Sequence, residues 1–167
     1  MVRTQRLLLL AITAALVACA QTKAPVGPTA ARSTAASGGV PTDPVTSDPA
    51  TIDAAFPAAI EEVAIASGES YMVGIVYVAQ GAGPHPLVIL LHGYPGDERN
   101  ADLAQSLRRA GWDVLLFHYR GAWGSQGKFS FSNALEDVGS ALAEARTASF
   151  AKRFRSDPSR VVLVGHS

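Results

Sequence analysis

The residues best placed to do chemistry are Gly165-His166-Ser167, which follow the run Val161-Val162-Leu163-Val164. An unbroken run of β-branched and apolar residues predicts a parallel strand buried on both faces. Gly-x-Ser directly after it predicts a tight turn, the front half of a nucleophile elbow. In that device the serine stands on a strained strand-to-helix corner, and small neighbours let the backbone pass without clashing. A serine so exposed can attack an ester or amide carbonyl and form an acyl-enzyme, provided a nearby base accepts its proton. The competing reading of Ser167 is an ordinary small residue at a strand end.

Two upstream stretches repeat the pattern of an apolar run that ends in a polar turn. The turn cluster Gly81-Ala82-Gly83-Pro84-His85-Pro86 leads into Leu87 to Leu91, a strand buried on both faces, and then into His92-Gly93-Tyr94-Pro95-Gly96. Asp97 to Ala110 follows as a helix, with Leu103, Ala104, Leu107 and Ala110 at helical spacing and Gly111 as its left-handed cap. Asp113 to Phe117 is the next buried strand and opens into the loop His118 to Gly127. Beyond it, Asn133 with Glu136 resembles a capping box, and Leu135, Val138 and Leu142 form one apolar face of a helix ending near Arg146. Lys152 to Arg160 reads as a basic connector closed by Asp157-Pro158. Ahead of all these, Glu62 to Ala66 and Tyr71 to Ala79 flank Ser67-Gly68-Glu69, which predicts an antiparallel hairpin. A helix from Ala54 to Ile65 competes, with Pro57 tolerated only near its start. Strands alternating with helices in this way predict an α/β fold, a mostly parallel sheet covered on both faces.

At 167 residues the chain has room for one folded domain. Lysine plus arginine and aspartate plus glutamate balance at 14 each, so no polyanion partner is implied and nucleic acid is set aside. Residues 1–20 have the shape of a secretory signal, with Arg3 and Arg6 ahead of the apolar stretch Leu7 to Val17. That stretch falls short of the roughly 20 apolar residues a membrane span needs. Leu16-Val17-Ala18-Cys19 resembles the lipobox of bacterial lipoproteins, in which the cysteine carries the lipid; ordinary cleavage after Ala18-Cys19-Ala20 is the alternative. Cys19 is the only cysteine, so no internal disulfide can form. Residues 21–50 are rich in Ala, Pro, Thr, Ser and Gly and lack aromatics, which predicts a disordered tether spanning on the order of 30 Å. Residues 51–167 hold the folded part, and the expected location is the bacterial cell envelope, either periplasmic or membrane-anchored through Cys19.

His92-Gly93-Tyr94-Pro95-Gly96, Tyr119-Arg120-Gly121 with Gly124-Ser125, and Gly165-His166-Ser167, each following a strand, together resemble the α/β-hydrolase family. The resemblance covers roughly Glu61 to Ser167 and is closest to serine peptidases and esterases related to prolyl oligopeptidases and serine aminopeptidases. It implies Ser167 as the nucleophile, acting on a small-molecule or peptide substrate, with no cofactor. It also implies that the acid and the histidine follow the serine in chain order, beyond this sequence. The His92-Gly93-Tyr94 turn would supply one oxyanion donor, the backbone N–H of Tyr94, and the other would come from the residue after Ser167. His92 could equally hold the turn by hydrogen bonding. Arg120 could meet a substrate carboxylate or stitch its loop to its neighbours, and Trp123 could line an acyl pocket or simply pack.

The 167-residue chain is accordingly expected to be inactive and to fold poorly, as the N-terminal part of an α/β-hydrolase domain ending at its nucleophile. The alternative from another class is a non-catalytic envelope lipoprotein that uses the same scaffold for binding. A Gly two positions after Ser167, then an acid and a histidine downstream, would favour the enzyme. His92, His118 and His166 each follow a predicted strand, which raises a metal site, but no close ligand pair or second cysteine supports one. Gly121, Gly124, Gly127 and Lys128 also fail as a phosphate loop, because Phe129 stands where Ser or Thr is required.

Overall fold

The computed structural model describes residues 42–94 and 98–166. Ser167, Cys19, the signal-like residues 1–20 and most of the tether lie outside the described residues. Residues 42–50, at the end of the low-complexity stretch, form an Asp43 turn in which Oδ1 accepts from the Val45 N–H at 3.0 Å. The Asp48 carboxylate then accepts from Arg108 Nη2 at 2.8 Å and Arg109 Nε at 3.0 Å.

Five strands form one sheet in the order β1-β2-β4-β3-β5. β1 (Ala59–Ser67) and β2 (Ser70–Val78) are the expected antiparallel hairpin, paired from Ser67↔Ser70 to Ala59↔Val78. The competing helix across Ala54 to Ile65 is absent, since alternating Val63, Ile65 and Ser67 face the core with polar or small residues between them. β2 also runs antiparallel to β4 (Asp113–Phe117), while β3 (His85–Leu91) is parallel to both β4 and β5 (Ser156–Gly165). β1, β3, β4 and β5 therefore point one way and β2 alone opposes them.

Alternation along each central strand sends side chains to two separate cores. Leu87, Ile89, Leu115 and Phe117 pack on one face against α2 (Phe131–Ala145) and α3 (Ala148–Phe154), through Ala141, Ala145, Phe150 and Phe154. Val88, Leu90 and Val114 pack on the other against α1 (Ala101–Arg109), through Ala104 and Leu107. Each large apolar side chain buried in this way contributes roughly 1.5–3 kcal/mol relative to exposure.

Several expected boundaries shift. α1 starts at Ala101, not Asp97, with Asn100 at its N-cap position in a left-handed conformation; Gly111, at φ +89°, does end it as expected. α2 is capped by Ser130, whose Oγ accepts from the Asn133 N–H at 3.0 Å, so Asn133 lies inside the helix rather than at its start. Its packed face carries Asp137, Ala141 and Ala145, with Val138 and Leu142 alongside, whereas Leu135 is 76% exposed. The expected basic connector holds α3 instead: Thr147 caps it and Phe150 and Phe154, four apart, enter the core while Lys152 and Arg153 face outward. β5 begins at Ser156 rather than Val161, and its register slips opposite His85–Leu87. Pro158 is tolerated there because β5 is the outer strand of the described sheet. For the same reason β5 is not buried on both faces; Val162 and Leu163 are each 44% exposed.

Candidate functional site

The loops after β3 and β4 and the end of β5 meet at the carboxyl edge of the parallel strands. The pairs Leu90↔Leu116 and Leu91↔Gly165 bring the ends of β3, β4 and β5 level with one another. The His166 N–H donates to the Leu91 carbonyl at 2.9 Å, which holds the residue after β5 against the end of β3. His166 itself is exposed, and Ser167 is the next residue in sequence.

His92 is buried, and its ring is fixed at both nitrogens. Nδ1 lies 2.9 Å from the Gly93 carbonyl, which can only accept, so Nδ1 is the donor. In the neutral ring Nε2 then accepts, and the His118 Nδ1–H donates to it at 3.4 Å. The Tyr119 ring packs edge-on against His92 at 4.7 Å between centroids. Burial, followed by the neighbouring His92 and Arg99, pushes His118 down to about 4, so it is uncharged near neutral pH. Turning the Gly93 carbonyl toward His92 points the Tyr94 N–H the opposite way, because a trans peptide holds the two groups antiparallel.

The loop after β4 is docked along the end of β2. Ser125 Oγ donates to the His118 carbonyl at 2.7 Å and accepts from the Val73 N–H at 2.9 Å, and the Gln126 N–H donates to the Tyr71 carbonyl at 2.9 Å. Arg120 anchors the loop to α2. Its Nε donates to Asp137 Oδ1 at 2.6 Å and its backbone N–H to Oδ2 at 2.9 Å, while Nη2 reaches Glu136 at 2.7 Å and the Asn133 carbonyl at 3.1 Å. Ser67 Oγ donates to the same Asp137 oxygen at 2.7 Å, tying in β1. The guanidinium of Arg120 thus serves the loop and its neighbours, the second of its two sequence readings. Asp137, fully buried and central to this knot, was missed from the sequence, because one acid in a helix carries no signal until its arginine is placed beside it.

Between the two turns lies a cleft of about 410 Å³, lined by His92, Gly93, Tyr94, Gly121, Ala122, Trp123 and Phe129. Gly121, at φ +78°, is required there, since a Cβ would come within 2.5 Å of the Phe129 nitrogen. The cleft brings together His92, Gly93, Tyr94 and Trp123 from the sequence reading; Arg120 lies just behind its wall. Phe129 was missed, and its only sequence signal is an aromatic residue directly after a glycine-rich loop. Among the described residues no group of three or more His, Cys, Asp or Glu is placed to hold a metal ion.

No protein-family model and no curated protein matches the chain. Solved structures do. An α/β serine hydrolase homologue from Coxiella burnetii superposes with a TM-score of 0.52 at 20% identity, over 64% of this chain and 51% of its own. A thermostable carboxylesterase cloned from a metagenomic library gives 0.52 at 24% identity, over 67% and 38%. An esterase of Pyrococcus furiosus gives 0.50 at 19% identity, over 65% and 40%. The chain thus spans between 38% and 51% of the length of these structures. With the sheet order and the helices on both faces, these likenesses identify the fold of the described residues as that of the α/β-hydrolases.

Proposed function

We propose that this chain carries the nucleophile and half of the oxyanion site of a serine hydrolase that cleaves ester or amide bonds through an acyl-enzyme. The observation that carries this reading is the 2.9 Å bond from the His166 N–H to the Leu91 carbonyl. It sets the residue before Ser167 beside the His92-Gly93-Tyr94 turn. In this reading Ser167 Oγ attacks the substrate carbonyl as its proton passes to a histidine supplied later in the chain. The Tyr94 N–H, turned away from His92, meets the oxyanion that develops. His92 is a positioning residue, since its Nδ1–H is committed to the Gly93 carbonyl. The protein is exported and held at the envelope membrane by a lipid on Cys19.

The test is to offer the whole protein aminoacyl amides and short-chain esters and to compare it with Ser167→Ala. Turnover that falls about 10³-fold or more in the variant supports the reading, and the preferred substrate separates peptidase from esterase. Turnover that survives Ser167→Ala refutes it.

A further inference from the structure

The cleft holds two large aromatic side chains in solvent, Trp123 of them against backbone preference. Trp123 adopts φ +47°, a left-handed conformation that a bulky side chain disfavours, and the residue is 57% exposed. Tyr94 is 70% exposed and lies over Phe129 with centroids 4.9 Å apart and planes 24° from parallel, making a flat wall. Folding gains little from either arrangement, since neither exposed ring is buried by it. The Arg99 guanidinium carbon lies 5.9 Å from the centre of the Trp123 ring. The described residues that line the cleft include no carboxylate.

We propose that this cleft is a binding site for a flat aromatic group that carries a negative charge next to the ring, an arylcarboxylate. Flat π faces favour offset stacking with a planar ring, which an alkyl chain of similar area cannot return. The guanidinium against the indole favours an anion and repels a cation. The link from binding to turnover rests on the hydrolase reading. There the ligand is the acid half of an aroyl ester or amide, released when water adds its hydroxyl to the acyl carbon and its proton to the departing alcohol or amine.

The experiment titrates the whole protein with 2-naphthoate, octanoate and naphthylmethylammonium by calorimetry. 2-Naphthoate should bind about tenfold more tightly than octanoate, and naphthylmethylammonium more weakly than 2-naphthoate. Trp123→Gly should weaken 2-naphthoate about tenfold while melting no lower than the parent, because glycine accepts the positive φ. Arg99→Gln should narrow the preference for the anion over the cation. Equal binding of 2-naphthoate and octanoate, no saturable binding, or binding indifferent to Trp123→Gly would overturn the proposal. Ser167→Ala should abolish turnover and still bind 2-naphthoate saturably, because stacking in the cleft needs no nucleophile. A parent protein that binds 2-naphthoate yet hydrolyses no ester or amide would sink the hydrolase reading and leave the site standing.

Discussion

Two aspartates are fully buried at opposite ends of the same sheet, and they are satisfied in different ways. Asp113 opens β4 at the amino edge. Its carboxylate accepts from the Ala79 N–H at 2.9 Å and the Ser156 hydroxyl at 2.6 Å, with no cation bonded to it. Burial pushes its carboxyl above the usual range, outweighing those two bonds and the pull of His85 and Arg155. Asp137 lies behind the carboxyl edge and is bonded twice by Arg120 and once by Ser67. The amino-edge acid joins three segments that do no chemistry, and a neutral hydrogen-bonding group could replace it. The carboxyl-edge acid balances a cation and fixes the loop that walls the cleft, so its charge is part of the construction.

That contrast breaks most visibly at Asp137. Asp137→Asn should lower the melting temperature by about 10 °C, because it removes the buried carboxylate and leaves the Arg120 guanidinium with only the exposed Glu136 as counter-charge, and should cost 2-naphthoate binding as the loop loosens. Asp113→Asn should shift melting by no more than about 4 °C at neutral pH, since Asn still accepts from Ala79 and can donate to Ser156. Equal losses from the two substitutions would dissolve the distinction. Next in size is Gly121→Ala, which drives a Cβ into the Phe129 backbone at a positive φ. It should cost roughly 2 kcal/mol in denaturant titrations and remove the cleft without touching Arg120 or Asp137.

The smallest effects separate the two edges by the sign of their pH dependence. His118 is held at about 4, below its unfolded value of 6.5, so its contribution to stability is complete above 6.5 and is lost as the pH falls toward 4. Asp113 is held above its unfolded value, so its contribution is present at low pH and is lost as the pH rises through its folded value. Denaturation between pH 4 and 7 should therefore lose a rising limb in His118→Gln and a falling one in Asp113→Asn. Slopes that change in the same direction in both variants would contradict these assignments.

The strands were legible because their signal is local. Leu87 to Leu91 and Asp113 to Phe117 are nearly unbroken apolar runs, and the hairpin alternates around Gly68. α3 was hidden because Lys152 and Arg153 dominate a seven-residue helix whose two phenylalanines alone face inward. The packed face of α2 was misplaced because hydropathy ranks Leu135 as core and Asp137 as surface, and only the Arg120 partnership reverses that order. At the site, the glycine-bounded turns gave away His92, Gly93, Tyr94 and Trp123, while Phe129 belongs to no periodic element. Which strands neighbour one another, with β2 beside β4 and β3 inside, depends on contacts distant in sequence.

The central claim, that the carboxyl edge is the working end of a serine hydrolase, is tested most directly by fluorophosphonate labelling of the protein in a whole lysate of its source cells, followed by peptide mapping. The account predicts a phosphonylated Ser167 in the peptide that contains Gly165-His166-Ser167, and no label in Ser167→Ala. An unmodified Ser167 in a sample whose other serine hydrolases are labelled would contradict it.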